Sequence, residues 1–228
     1  MPQTQRVKIF LSYSHKDRHL CEALRKHLTP LIRSKVIAAW WDHAIKPGSN
    51  WNQEIIANLS ESDIVLFLLS SDFLHSEYIF EEEVGPAVER HQSGKSILVP
   101  VMLRQCDIES TIFKDFQGLP DNLEPVTSKR WRSRDEAFMS ILYGLKRIIA
   151  EVQTRKGAVE RDEQEWYSVL EADSIEAYAR YIALEGKEKR FQRSAMQRLI
   201  ALVRAVEVEN LDLKAQNLLL VKGLYGAK

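Results

Sequence analysis

The sequence predicts an α/β protein built on a doubly wound parallel sheet, followed by a small all-helical region. Three observations carry that prediction. Strand and helix patterns alternate over about the first 150 residues, a length that suits one full domain. The run Ile64–Leu69 is apolar on both parities, as a central parallel strand covered on both faces requires. Beyond residue 153 the strand signal vanishes while helical spacing persists. The division therefore reads 1–153 for the α/β domain and 154–228 for the helical region. The polar, glycine-containing stretch 154–163 reads as a linker or frayed helix end.

Taken in order, residues 7–13 form a first strand, and Ser14-His15-Lys16-Asp17 the loop and cap of a helix carrying Leu20, Leu24, Leu28 and Leu31 on one face. Pro30 ends or kinks that helix near its close. Residues 36–41 form a second strand, and 42–50 a long turn marked by Pro47-Gly48. Trp51, Ile55, Ile56 and Leu59 have helical spacing, and the central strand follows. Ser70, Ser71 and Asp72 supply turn and capping chemistry ahead of a helix from about Ser76 to His91. Residues 96–103 make a fourth strand, in which Pro100 belongs at an end or bulge because it has no amide hydrogen. A short strand is expected near Pro125-Val126, and a helix from Asp135 to Val152 closes the domain. In the helical region Asp173-Ser-Ile-Glu176 has capping-box spacing, Gly186 ends a helix, and Trp166, Tyr178, Tyr181 and Leu199 form the expected core.

Bulk composition narrows the function. Lys plus Arg and Asp plus Glu both count 32, so nothing favours electrostatic capture of nucleic acid or an anionic membrane, and the weak repulsion of a neutral chain suits self-association. Cys21 and Cys106 have no metal-ligand spacing and fit a reducing compartment. Neither a secretory apolar segment nor a membrane-length run is present, and Leu218–Val221 is far too short to span a bilayer, so the expected location is the cytoplasm.

In an open parallel sheet, ligands bind beyond the carboxyl ends of the strands. Ser12, Tyr13, Ser14, Asp42, Ser70 and Tyr78 all fall on that edge, with Trp51 after the Pro47-Gly48 turn and Glu81, Glu82 and Glu83 opening the next helix. Each also has a structural reading. Tyr13 can pack on a helix, Asp42 can cap its loop, Trp51 can staple the start of its helix, and adjacent acids at a helix start favour its dipole. His15, His43 and His75 are ordinary loop histidines, and no metal site is expected. Gly94-Lys95-Ser96 lacks the first glycine of a phosphate loop, and no Gly-x-Gly-x-x-Gly follows the first strand.

Phe10-Leu-Ser-Tyr-Ser14, Trp41-Asp42 with Pro47-Gly48 and Trp51, and Leu69-Ser-Ser-Asp-Phe-Leu-His-Ser-Glu-Tyr78 before a Glu-rich helix together resemble the Toll/interleukin-1 receptor (TIR) domain in its prokaryotic form. The likeness spans residues 5 to 150, in order. It implies a flavodoxin-like sheet of five parallel strands and cleavage of the nicotinamide–ribose bond of NAD+, yielding ADP-ribose or its cyclic form. NAD+ is then the substrate, and no cofactor is implied. The family pattern puts the catalytic glutamate just before an apolar core residue, which selects Glu83, followed by Val84, ahead of Glu82. Substrate contacts fall to Ser12, Tyr13, Ser14, Asp42, Trp51, Ser70 and Tyr78. Where the family often has cysteine, this chain has Ile79.

The chemistry is sound for one carboxylate. Bond cleavage builds oxocarbenium character on the ribose, which an adjacent carboxylate stabilises, and nicotinamide leaves without an acid. Such sites are commonly completed by a neighbouring copy, so the resemblance implies activation by self-association, in immune defence or signalling. The rival reading is a non-catalytic adaptor that recruits other TIR domains through residues 42–50, and a third is a host-mimicking effector. The helical region is a sensor of an unknown trigger, an assembly handle or a cap.

Overall fold

The structure, a computed structural model, describes residues 6–41, 51–183 and 190–225, with the backbone alone at 51, 208 and 211–225. The chain divides into two compact units, Met1–Lys156 and Gly157–Lys228.

The first unit alternates as expected: β1 (Val7–Tyr13), α1 (Arg18–Arg33), β2 (Ile37–Trp41), α2 (Trp51–Glu61), β3 (Ile64–Leu69), α3 (Ser71–Leu74), a π-helical turn (Ile79–Val84) running into α4 (Gly85–Gln92), β4 (Ile97–Met102) and α5 (Arg134–Ala172). All strand pairs are parallel, in the order β2-β1-β3-β4. This is the flavodoxin-like order as far as it goes, and it reverses direction between β1 and β3. Every residue of β3 is buried. Alternate side chains go to opposite faces, so Ile64, Leu66 and Leu68 join the α1/α5 core, and Val65, Phe67 and Leu69 the α2/α4 core. Full burial of such side chains contributes roughly 1.5–3 kcal/mol each, which explains the absence of any polar residue in the run.

Four strands are present among the described residues, rather than the five the resemblance implies. Where a fifth was expected, the chain touches β4 only in fragments. Leu119 bridges Val101, Leu119 N–H donates to the Pro100 carbonyl, and Val126 N–H to that of Met102. Pro120 and Pro125 have no N–H to extend that ladder. β4 is therefore the edge strand, and this corrects the placing of Pro100. It sits in mid-strand because its missing donor faces outward. Leu98 N–H is occupied by Nδ1 of His91 at 3.3 Å and Met102 N–H by the Leu119 carbonyl at 2.9 Å, so the edge offers little to an adventitious strand.

Two further expectations change. Residues 154–163, read as a linker or frayed helix end, are helical and part of α5, one helix of 39 residues, and the boundary between the two units falls within them. Its polar stretch makes specific contacts instead: Lys156 Nζ pairs with Asp63 Oδ2 at 2.6 Å, and Arg155 donates to the Gly94 carbonyl. In the second unit, α6 (Ile175–Ala183) is capped by Ser174, whose Oγ accepts from Ala177 N–H, and not by Asp173. Asp173 takes a left-handed φ of 36° and accepts from the Tyr178 hydroxyl and from Arg198 on α7 (Gln192–Tyr225). Gly186 lies outside the described residues. The core is as expected: Tyr178 and Tyr181 are fully buried with Trp166, and Leu199 packs on them.

Candidate active site at the carboxyl edge of the sheet

At the point where strand order reverses, the chain leaves β1 toward the α1 face and β3 toward the α4 face, and a cavity of about 320 Å³ opens between. The last residues of β1 and its loop, Ser12 to Lys16, form one wall. Ser76, Tyr78, Ile79 and Glu83 form another, and Ile55 of α2 contributes from the side. That volume is at the small end of ligand pockets, enough for a ring and its sugar. A larger groove of about 570 Å³ lies along α5 and the outer edge of β4, but it holds no buried carboxylate and is away from the switch point.

Glu83 is 6% exposed, Glu82 half-buried and Glu81 exposed. The backbone explains why the third glutamate turns inward. In an α-helix, the ring of Pro86 would collide with the carbonyl four residues earlier, that of Glu82. The helix widens instead: Gly85 N–H reaches back to the Phe80 carbonyl, five residues away, and Ile79, Glu83 and Val84 are the buried positions of the π turn. Ile79 only packs, so the departure from cysteine leaves the wall intact.

Burial, with the charges of Glu83 and then Glu82, pushes the Tyr78 hydroxyl up to about 12. The phenol is therefore a proton donor at neutral pH, and it donates to Asn52 Oδ1 at 2.7 Å. Ser12 is 2% exposed, and its hydroxyl has no hydrogen-bond partner among the described residues, although it lines the cavity. An unpaired buried hydroxyl costs roughly 1–3 kcal/mol, which a ligand hydroxyl would recover. Tyr13 is buried in the core and also forms cavity wall. Ser14 also lines the cavity and accepts from Lys16 N–H, so it, and not Asp17, caps the 3-10 turn His15–Asp17.

Ser70 is elsewhere. Its hydroxyl is fully buried, accepts from Phe73 N–H and donates to Asp17 Oδ2 at 2.5 Å, and it does not line the cavity. Asp42, His43, Pro47 and Gly48 lie outside the described residues, as does the side chain of Trp51. His15 is in the wall, and His75 is exposed outside it.

Sequence reading missed the network beside the cavity. Asp17, wholly buried, receives Nε of Arg104 at 2.6 Å on Oδ1 and the Ser70 hydroxyl on Oδ2, while Arg104 also pairs with Asp72. Those hydrogen bonds, Asp17 first, raise the guanidinium above its ordinary range. The ends of β1, β3 and β4 are thereby tied together. No local signal announces a pair 87 residues apart. Lys16 and Ile55 are further wall residues that the pattern did not single out. No group of three or more His, Cys, Asp or Glu among the described residues could hold a metal ion.

The model of the TIR domain family matches residues 9–142. The chain is also 35% identical over 144 residues to "Uncharacterized protein y4lF" of Sinorhizobium fredii (strain NBRC 101917 / NGR234), covering 63% of this chain and 44% of that protein. The chain thus spans less than half the length of this relative.

Proposed function

The chain belongs to the TIR domain family, and on that footing we propose that it is an NAD+ glycohydrolase or cyclase, activated by self-association and acting in prokaryotic immune defence or signalling within the cytoplasm. The observation that carries this reading is Glu83, a buried carboxylate in the wall of a cavity at the topological switch point. The nicotinamide–ribose bond breaks heterolytically. Its electron pair leaves with neutral nicotinamide, and positive charge develops on the ribose, where the Glu83 carboxylate stabilises it and orients the hydroxyls. Water then adds at the same carbon and gives up a proton, or a nitrogen of the adenine closes the ring. Ser12, Tyr13 and Ser14 offer hydroxyls to the ribose, with Tyr78 held protonated beside the carboxylate.

The test is nicotinamide release from NAD+ by the purified chain at several concentrations, with Glu83→Gln and Glu82→Gln alongside. Turnover that rises faster than concentration and is lost only in Glu83→Gln is the expected result. No turnover at any concentration overturns the reading in favour of a non-catalytic scaffold for TIR–TIR association.

A further inference from the structure

α7 is one helix of 34 residues, about 50 Å long at 1.5 Å per residue. Its first turns belong to its own unit, where Ala195 is buried and Leu199 and Leu202 pack on the cluster of Trp166, Tyr178 and Tyr181. An adjoining stripe has no such cover. Met196, Ile200, Val203 and Val206 are 38–45% exposed.

The sequence of the helix continues that stripe in heptads. Met196, Val203, Asn210, Asn217 and Leu224 recur every seventh residue, and Val206, Leu213 and Leu220 every seventh residue three places later. These are the a and d positions of a seam with a 3.5-residue period, which stays on one side of a helix only when the helix supercoils around a partner. We propose that α7 is one strand of a parallel, in-register, two-stranded coiled coil whose other strand is α7 of a second copy of this chain.

The occupant follows from three features. Val203 at a with Leu213 and Leu220 at d is the pairing that favours two strands. Asn210 and Asn217 each occupy an a position, where an amide set against an apolar layer loses its hydrogen bonds; in a parallel, in-register pair each meets its own counterpart and both are satisfied. Glu209 at g is followed five residues on by Lys214 at e, so the parallel register sets opposite charges together twice by symmetry. An antiparallel pair could set Glu207 against Lys214 at e, but it packs a against d and so places Asn210 and Asn217 against leucine or valine. Leu211, Leu218 and Tyr225 fall at b and widen the apolar face of the last turns. A membrane span does not account for these leucines, since no helix searched among the described residues is long and apolar enough to cross one. This inference does not rest on the NADase reading, because its readout is association and not turnover.

Sedimentation equilibrium of the full chain tests it. The wild type is expected to be a dimer. Val203→Asp with Val206→Asp, at positions already exposed in the single chain, is expected to weaken dimerisation by ~100-fold or more with the helical signal retained, and Asn210→Leu to tighten it at least ~10-fold. Under mild oxidation Asn210→Cys is expected to form a disulfide-linked dimer, whereas Arg204→Cys, at b, and the wild type do not. A monomeric wild type overturns the proposal, and so does a dimer indifferent to the paired aspartates. A trimer or tetramer, or a dimer in which Asn210→Cys fails to cross-link, overturns the two-stranded parallel register.

Discussion

Asp17 and Glu83 are two buried acids near the carboxyl edge of the sheet, and their surroundings differ. Asp17 is fully enclosed and held by Arg104 and Ser70, outside the lining of the cavity. Glu83 is nearly as buried, yet it forms part of a cavity wall with Ser12, whose hydroxyl has no partner among the described residues. Burial alone therefore does not mark a functional carboxylate. A buried acid enclosed by a cation and a hydroxyl is a tie between strands; one in a cavity wall lies where a ligand can reach it.

The sharpest test of that contrast is Glu83→Gln. It should lower NAD+ turnover by ~100- to 1,000-fold, the scale for removing one electrostatic stabiliser of a transition state, while the thermal midpoint stays within a few degrees. Asp17→Asn should do the reverse, costing about 2–3 kcal/mol of stability in urea unfolding. The usual loss for breaking a buried pair is discounted because Arg104 is one-third in solvent. If Asp17→Asn left stability unchanged but abolished turnover, the assignment of the two acids would be inverted.

Pro86→Ala probes the backbone between them. With an N–H at residue 86 the widened turn can tighten to an α-helix, which turns Glu83 away from the cavity. We expect a roughly 10-fold lower kcat/KM together with equal or higher stability, since Ala is favoured over Pro in a helix by up to ~3 kcal/mol. Unchanged activity would show that the π turn does not position the carboxylate.

The smallest effect extends the comparison to an exposed acid. Arg198 and then Tyr178 hold Asp173 down to about 2. A carboxyl whose folded value lies below its unfolded value of ~3.9 stabilises fully above that value and loses the contribution as pH falls through the folded one. The difference in thermal midpoint between wild type and Asp173→Asn should therefore be constant at neutral pH and shrink between about pH 4 and pH 2. A difference that persists at the acid end would assign the effect to the left-handed backbone at Asp173 instead.

The sequence by itself determined the alternation of elements, the identity of the central strand and the edge on which a site must lie. These are local or periodic properties: an apolar run of strand length, a capping serine and the spacing of leucines each act within a few residues. It also singled out Glu83 from its two neighbours, through the resemblance and the apolar residue that follows it.

Tertiary structure decided what depends on partners distant in the chain. It placed Ser70 outside the cavity lining and against Asp17, because a buried carboxylate needs donors and Arg104 arrives from the end of β4. It made Pro100 acceptable in mid-strand, because only the order of strands says which edge lacks a neighbour. It also carried α5 through a stretch whose polarity reads as a linker, because ion pairs to Asp63 and contacts to Gly94 exist only once the sheet has assembled. Hydrophobic pattern is written along the chain, whereas the satisfaction of buried charge and of backbone donors is settled between segments that the pattern does not relate.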